Sequence, residues 1–589
     1  MKRIFSFADG SQAGRQGNGE FIASLVKKML ILLGIMLLPN MSNAAIRRFE
    51  VTKTSYVYID NGAKADPGSL PAAVDSVNKY STDSCAIIFK LKANDTIKVT
   101  SYVAKEISNE TYTLIDGGKN GAKVKPASGN YFIISGANHV VLKNMEFLND
   151  GGSNALKIES SVVDTITNCK FIDNSSTYGA LYLVSSTVTS INNCLFSGNN
   201  IGLSTDASSS VTVSDCQFLD NNRMGVSGNG NPNLILRNCT ISGNTEGMRN
   251  FYGKAYNCVF KNNESASYTG SGNFYNCIFS QNSVAAIQGG ANVINKCRFT
   301  ENGVAINAVQ SSIDSICNSY IGNNETGIYI SQTTVKNVIG DTIVSNQTHG
   351  IYIGGQCTHI YDNVISGNNI GMEIIRTTID SICGNTIASN KTSGVKSTGR
   401  GVLNVFSNNY IGTNPNFEAL GNGEDGVTFL SSSTYPSEFK NNIIGNNGRY
   451  GIGLEGSTTP FTIESCHIGM APDSTPMPNA EGGINIYKTT HNTVLKNCSV
   501  SMNGGTGVKA TIYGELSLSG CSFYANQGYG VYFASETTGY KFSVDKPRPA
   551  ATDKTLSFTN DAIVRTSRTS VLEFFISGSS MASTPSFSS

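Results

Sequence analysis

Three charged residues recur at one position of a repeating pattern: Glu424, Arg449 and Glu481. Each lies three residues before an apolar residue that follows a turn, so stacked repeats would bring them together on successive coils. Two coil rises would separate the two carboxylates by roughly 9–10 Å, near the spacing of the acid and base in an inverting glycosidase. The other interpretations are binding without chemistry and an exposed Glu–Arg–Glu ion-pair column, which contributes little energy.

Two longer segments flank these residues and have equal length. Sixteen residues separate Ile411 from Val427, and sixteen separate Ile468 from Ile484. Equal insertions at equivalent positions of a repeat should project from the same edge and form two walls, with a shorter coil between them. We therefore predict a shallow binding groove, with the three charged residues as its candidate catalytic residues.

The element that must position these residues is a repeat with the pattern Cys-x-(Phe/Ile/Val)-x-x-Asn. Fifteen of the seventeen copies end in Asn, and the copy at Asn409 is read as ending at Asn414. The sixteen steps between positions 145 and 521 average 23.5 residues. The copies begin at Met145, Cys169, Cys194, Cys216, Cys239, Cys258, Cys277, Cys297, Ser319, Asp341, Asn363, Asn385, Asn409, Asn442, Cys466, Cys498 and Cys521.

This period predicts an all-β solenoid. Short apolar pairs with a period of two, separated by Gly and Asn, suit strands that pair in parallel with their copies one coil away. A propeller would need about 40 residues per blade, which fits poorly. We predict a single-stranded parallel β-helix of about 17 coils with an N-terminal cap.

The asparagine column is predicted to be structural. Asparagine tolerates the left-handed conformation of a tight turn, and its amide can bond to the asparagines above and below it.

Fourteen cysteines would suggest disulfides in an exported protein, but ten of them occupy one repeat position. Parallel side chains keep neighbouring sulfurs from the disulfide torsion, and a straight column offers no tetrahedral metal site. We predict buried, reduced thiols, with Cys317 and Cys383 also facing inward. Cys85 and Cys357 have no assigned place.

The ends of the chain differ from the repeat. Residues 26–38 have a basic lead and an apolar run, and small residues at 42–45 follow, which is typical of a signal peptide. We predict a signal peptide within 1–45 that starts at Val26, with an upstream extension (1–25) unlike such a peptide. No membrane span is predicted in the mature chain. The remaining predicted domains are the N-terminal cap and first coils (46–130), the β-helix repeats (131–545) and a non-repeat tail (546–589).

The cap is predicted from an amphipathic helix. Ser69 is a plausible N-cap, and Leu70, Ala73, Val74 and Val77 share one helical face. Such a helix would cover the open end of the coil stack, whose unpaired strand edges otherwise invite aggregation.

Composition limits the partners. Lys and Arg (43) nearly balance Asp and Glu (42), and without a long basic run nucleic acid is not an expected partner. Trp is absent, so an aromatic platform must come from the 25 Tyr and 27 Phe.

From the repeat, the chain resembles the bacterial right-handed parallel β-helix repeat proteins of the pectate-lyase-like superfamily over roughly residues 50–545. Its two longer segments resemble an insert of large surface proteins in that group, and residues 67–74 resemble their N-terminal capping segment. The resemblance implies a right-handed coil. It does not specify an activity, because that superfamily holds lyases, hydrolases, epimerases and non-enzymatic surface proteins.

The motifs that carry chemistry in that superfamily are missing here. The sequence has no paired Asp-Asp run, no Gly-His-Gly followed by Arg-x-Lys, and no Asp-Pro-His. We therefore expect a protein secreted or held at the cell surface that acts as a scaffold or binding protein, with a polysaccharide or cell-surface glycan as partner. The alternatives are a polysaccharide lyase or glycoside hydrolase and a self-associating surface protein. No cofactor is expected, and calcium only if the protein is a lyase.

Overall fold

The computed structural model describes residues 46–55, 58–59, 64–99, 106–126, 132–148, 154–399, 401–430, 436–456, 460–535 and 542–545. The predicted signal peptide (1–45) and tail (546–589) therefore lie outside the described residues. The chain divides into two units, 1–47 and 48–589, and the description below concerns the second.

Three columns of parallel strands build this unit, and most of the described coils contribute one strand to each column. The column that follows the asparagine turn, sheet 1, contains Glu106–Ile107, Phe132–Ser135, Leu156–Glu159, Leu181–Val184, Ile201–Thr205, Met224–Ser227, Glu246–Phe251, Ser265–Gly270, Ala285–Gln288, Val304–Val309, Ile370–Ile375, Val395–Thr398, Val427–Phe429, Tyr450–Glu455, Gly482–Tyr487, Thr506–Ile512 and Val531–Ser535.

The next column along each coil is sheet 2. It contains Arg47–Val51, Cys85–Phe89, Thr113–Asp116, Val140–Lys143, Val162–Thr167, Thr187–Asn192, Ser210–Ser214, Leu234–Arg237, Lys254–Tyr256, Asn273–Tyr275, Ala291–Asn295, Ile313–Cys317, Thr378–Cys383, Val402–Ser407, Pro436–Lys440, Phe461–Glu464, Thr493–Lys496, Leu516–Ser519 and Phe542–Asp545. In two coils the strands Thr326–Ile339 and His349–Tyr361 run unbroken through sheets 1 and 2.

The third column, sheet 3, precedes the asparagine turn. It contains Thr96–Val99, Ala122–Pro126, Met145–Leu148, Lys170–Ile172, Leu195–Ser197, Gln217–Leu219, Thr240–Ser242, Val259–Lys261, Ile278–Ser280, Arg298–Thr300, Tyr320–Gly322, Thr342–Val344, Val364–Ser366, Thr386–Ala388, Tyr410–Ile411, Ile443–Ile444, His467–Ile468 and Ser499–Val500. A short antiparallel pair, Tyr58–Ile59 with Lys64–Ala65, and the helix α1 (Leu70–Lys79) complete the described elements.

The predicted parallel solenoid is confirmed, with about 18 turns. Sheet 3 has eighteen strands among the described residues, whereas the sequence pattern has seventeen copies. The two extra strands, Thr96–Val99 and Ala122–Pro126, place Ile97 and Val124 in the core but lack the Cys and Asn of the pattern. At the other end, the copy at Cys521 is reduced to a bridge between Ser499 and Ser522.

Stacked phenylalanines form the centre of the core. The ring centroids of Phe171 and Phe196 are 4.7 Å apart and those of Phe196 and Phe218 are 4.6 Å apart, with nearly parallel rings. This spacing equals the distance between paired strands, because each ring lies directly above its copy. Each pair contributes about 0.5–1.5 kcal/mol beyond the burial of its area.

The asparagine column is a buried hydrogen-bonded ladder, as predicted. The backbone N–H and the side-chain amide of Asn174 both donate to Asn199 Oδ1, at 3.0 and 2.7 Å. The same pattern continues from coil to coil through Asn221 and onward to Asn526.

One copy of the pattern was assigned wrongly. Asn390 donates to Asn422, and Asn422 donates to Asn447, so the ladder residue of that coil is Asn422. The predicted Asn414 lies in the inserted segment, where its Oδ1 accepts the N–H of Asn416 at 3.0 Å. The next insert likewise moves the ladder residue of its coil to Asn479. The residue spacing within one copy could not reveal the true ladder residue, because each insert lies between the sheet 3 strand and the ladder asparagine of its coil.

The cysteine column also faces the core. All fourteen cysteines are free thiols, and nine of the ten column members are buried, with Cys521 half-buried. Cys169 Sγ donates to the carbonyl of Thr167 at 3.4 Å. Between Cys297 and Cys466 the same position is taken by Ser319, Asp341, Asn363, Asn385, Asn409 and Asn442, which form a second ladder.

The orientation predicted for Cys317 and Cys383 was wrong. Both are half-buried on the outer face of sheet 2, because each directly follows an inward residue, Ile316 or Ile382, and strand side chains alternate. Cys85 and Cys357 are buried in inward positions, and complete burial raises the pKa of the Cys357 thiol to about 12.

Helix α1 is present with the expected N-cap and face. Ser69 Oγ accepts the N–H of Ala72 at 3.4 Å, and Leu70, Ala73, Val74 and Val77 are buried. A covering role at the end of the coil stack stays a prediction. Among the described residues no helix is long and apolar enough to cross a bilayer.

Candidate functional site

A cavity of about 540 Å³ opens on the outer face of sheet 1. Its size lies within the range of small-molecule sites, about 300–1,000 Å³. Outward side chains of successive coils line it in the register Tyr182, Ser204, Ser227 and Arg249. We call this cavity the Tyr–Arg cleft; its other main contributors are Tyr178 and Arg223.

The floor of the Tyr–Arg cleft consists of two serines held in place by an asparagine. Asn229 Nδ2 donates to Ser204 Oγ at 3.1 Å and to the carbonyl of Thr205 at 2.8 Å. Ser227 Oγ donates to Asn229 Oδ1 at 3.0 Å. Asn229 itself has a φ of 45°, a left-handed turn conformation that asparagine tolerates. The floor is therefore a fixed polar surface.

Two tyrosines form one end of the cleft. The ring centroids of Tyr178 and Tyr182 are 5.8 Å apart at an interplanar angle of 28°. Tyr178 is 63% exposed. It lies in the turn before a strand of sheet 1, where its backbone N–H donates to Ser176 Oγ at 3.1 Å. The pair presents aromatic surface to solvent beside polar groups.

Two arginines, Arg223 and Arg249, form the other end, and Glu246 lies beside Arg249. Arg249 Nε lies 3.4 Å from Glu246 Oε2, and the guanidinium of Arg249 lies 5.0 Å from the centre of the Tyr268 ring. The Glu246 side chain is only 15% exposed. Burial raises the pKa of its carboxyl, against the lowering effects of Arg249 and Arg223. This end therefore combines two cations with one carboxyl group whose ionisation is disfavoured.

The structure brings the predicted Glu424, Arg449 and Glu481 onto successive coils. The N–H of Arg449 donates to the carbonyl of Glu424 at 3.1 Å, and that of Glu481 to the carbonyl of Arg449 at 2.9 Å. All three side chains are exposed. Arg449 Nε lies 3.7 Å from Glu481 Oε2. Their catalytic role stays a hypothesis.

Sequence reasoning missed a fourth member of this cluster. Asp425 is 6% exposed, and its Oδ1 lies 3.9 Å from Arg449 Nε. Asp425 also accepts the N–H of Tyr450 at 3.1 Å and the hydroxyl of Thr428 at 3.0 Å. Arg449 thus pairs with a buried carboxylate on one side and an exposed one on the other.

The two inserts of equal length close on themselves at their bases. Leu420 donates its N–H to the carbonyl of Gly412 at 3.2 Å, and Met477 donates to Gly469 at 2.8 Å. The side chain of Met477 is fully buried, so the second insert packs back against the coil. The groove predicted between the inserts stays a hypothesis.

With the architecture described, a sequence match identifies the family of the chain. The chain matches the family described as "Right handed beta helix region" over residues 113–265 and 350–545. The chain belongs to this right-handed beta-helix family. The resemblance drawn from the repeat is thereby confirmed, including the hand of the coil.

Several solved structures match the chain at low sequence identity. The catalytic domain of a GH87 alpha-1,3-glucanase in complex with nigerose is 13% identical, with 87% of this chain and 70% of that chain covered and a TM-score of 0.22. The A-module of mannuronan C-5 epimerase from Azotobacter vinelandii is 12% identical, with 81% and 89% covered and a TM-score of 0.16. A PL6 family polysaccharide lyase from Pseudopedobacter saltans is 12% identical, with 73% and 95% covered and a TM-score of 0.18. No curated protein matches the sequence.

The beta-helix register shows which signal could have revealed the Tyr–Arg cleft. Arg223 and Glu246 each lie two residues after a ladder asparagine, as Glu424, Arg449 and Glu481 do. The turn after the ladder asparagine thus carries charges in two places, although the strand register places Glu246 beside Met224. Within the described part of the chain, no group of three or more His, Cys, Asp or Glu side chains could hold a metal ion.

Proposed function

We propose that this beta-helix protein binds glycans through the Tyr–Arg cleft, as an exported binding or scaffold protein. The observation that carries the proposal is the Tyr178–Tyr182 pair, with Tyr178 exposed and Tyr182 half-buried, at one end of a polar cavity. Sugars have an apolar carbon–hydrogen face and a rim of hydroxyls, so they suit a site that joins aromatic surface with fixed polar groups. Export is proposed from the signal-peptide pattern within residues 1–45.

The test is a binding measurement on a panel of polysaccharides and their oligosaccharides by affinity electrophoresis and calorimetry. Tyr178→Ala and Tyr182→Ala are expected to weaken binding at least about tenfold, equivalent to about 1.4 kcal/mol. Tyr256→Ala is the matched control, because Tyr256 also stacks on a tyrosine, Tyr275 at 5.1 Å, and carries an arginine 4.4 Å above it, but on sheet 2. Binding that survives both cleft variants would contradict the proposal, as would a panel without any ligand.

A glycoside hydrolase is the second candidate, and Glu246 is the observation that favours it. A carboxyl group whose pKa is raised by burial suits a general acid. On this hypothesis the wild-type protein releases reducing ends from a bound glycan, and Glu246→Gln abolishes the release but retains binding. A lyase would instead produce unsaturated ends that absorb in the ultraviolet. Bound glycan that stays intact under both assays would remove the enzymatic candidate.

A further inference from the structure

The Tyr–Arg cleft is a gap in a column of outward side chains. Tyr182 and Arg249 are separated by two coils whose residues at this position are Ser204 and Ser227. Three coil rises separate the two large side chains by roughly 14 Å. Both residues are small, so no large side chain at this column position lies between the two ends.

Elsewhere the same column is filled by direct stacking. Tyr329 and Tyr352 occupy it on successive coils, with ring centroids 4.6 Å apart and an interplanar angle of 8°. A large side chain in place of Ser227 would therefore find a neighbour to stack on and would close the gap. The openness of the cleft depends on the size of these two serines.

The charges at the arginine end favour an anion. Arg223 is exposed and makes no ion pair with the residues that the structure describes. Arg249 has Glu246 as a partner at 3.4 Å, so the two guanidinium groups of this end outnumber the one paired carboxylate. Guanidinium groups bind carboxylates and related oxyanions through paired hydrogen bonds.

We propose that the cleft binds one acidic sugar unit, with its ring against Tyr178 and Tyr182 and its carboxylate or sulfate on Arg223 and Arg249. The two ends of the cleft lie one above the other along the coil stack. A glycan chain held between them must therefore run along the strands of sheet 1, perpendicular to the direction of the coil stack. This inference rests on the proposed glycan binding and adds the charge of the ligand and its direction.

The first experiment tests the charge. Affinities are measured for an acidic oligosaccharide, for its carboxyl-reduced neutral counterpart, and for a sulfated oligosaccharide, with the wild type and with Arg223→Gln. The wild type is expected to bind the acidic ligand at least tenfold more tightly than the neutral one, and Arg223→Gln should remove that difference. Equal affinities for acidic and neutral ligands, both lost in Tyr178→Ala, would overturn the charge assignment and leave the proposed function standing.

The second experiment tests the gap and the direction of the chain. Ser227→Tyr is expected to abolish binding of all ligands, whereas Asn307→Tyr, at the same column position outside the cleft, should bind as the wild type does. Circular dichroism and the Tm verify that both variants are folded. Affinity should level off at short oligosaccharides, because a crossing chain contacts few units. Wild-type binding by Ser227→Tyr, or affinity that keeps rising with chain length, would overturn this geometry.

Discussion

At the scale of single residues, burial has the clearest consequence at Asp341. It stands in the second ladder between Ser319 and Asn363, and it is 1% exposed. Neighbouring asparagines in this ladder donate through Nδ2 to the next coil, as Asn363 does to Asn385 at 2.9 Å. A carboxylate has no such donor, and Asp341 Oδ2 lacks a hydrogen-bond partner. Burial raises the pKa of the Asp341 carboxyl to about 7.

Asp341 therefore makes stability depend on pH. The folded protein keeps a proton on Asp341 that the unfolded chain releases above its ordinary pKa of 3.8. The contribution is complete below that value and is lost as the pH rises through about 7. Asp341→Asn is expected to be more stable than the wild type at pH 8, by up to about 4 kcal/mol, with the difference vanishing near pH 4. Denaturant unfolding at a series of pH values measures this, and a pH-independent difference would contradict it.

The exposed charges of the predicted groove should matter less for stability. Glu424 and Glu481 are exposed, and surface ion pairs contribute about 0–1 kcal/mol. We expect Glu424→Gln with Glu481→Gln to leave the Tm, polysaccharide binding and turnover nearly unchanged. Asp425→Asn is the comparison, since that carboxylate is buried and carries two hydrogen bonds and an ion pair. Loss of polysaccharide binding or turnover in the double variant would contradict this expectation and would support the groove as a functional site.

At the scale of elements, the inserts show how the ladder sets the register of a coil. Asn422 comes after the insert, yet its side chain donates to Asn447 at 2.9 Å and to the carbonyl of Ile387 at 3.2 Å. Leaving buried polar groups without partners is costly, so the chain loops out at Gly412 and returns to the same ladder position. The insert is tolerated because it lies outside the stack.

Two asparagines on either side of this insert provide a matched test. Asn422→Ala removes the oxygen that accepts the N–H and the side-chain amide of Asn390, together with the amide that donates to Asn447, and should cost about 2–5 kcal/mol. Asn414→Ala removes only half-exposed contacts to Asn416 and Glu418 and should cost less than about 1.5 kcal/mol. Hydrogen exchange of the coil amides measures the local effect. Equal protection in the two variants would mean that the ladder does not hold the coil.

At the scale of the whole molecule, each described coil contacts mainly the coils before and after it, so stability is approximately a sum over neighbouring coils. Access to the core is then governed by local opening. The accessibility of the cysteine thiols can measure this local opening. Eleven cysteines are buried, and Cys317, Cys383 and Cys521 are half-buried.

Alkylation of the native protein should follow this division. Cys383 on the outer face of sheet 2 is expected to react first with iodoacetamide and Cys317 after it, because a thiol must be reachable and ionised to react and burial raises the pKa of the Cys317 thiol. The buried column should react only under denaturing conditions, as the neighbouring thiol of Cys258 and burial raise the pKa of Cys239. Mass spectrometry of digested samples assigns each site. Native labelling of Cys194, Cys216 and Cys239 at the rate of Cys383 would show that the column is open to solvent.

The sequence by itself determined the coil stack and most of its columns. A repeat near 23.5 residues converts spacing along the chain into position in the stack, so Phe171 over Phe196 and Asn174 over Asn199 could be predicted without coordinates. Only the tertiary structure decided where a cavity opens. The cleft depends on two small serines between Tyr182 and Arg249 and on Tyr178 in a turn. Such a gap is a property of neighbouring coils in three dimensions, and no single repeat carries it.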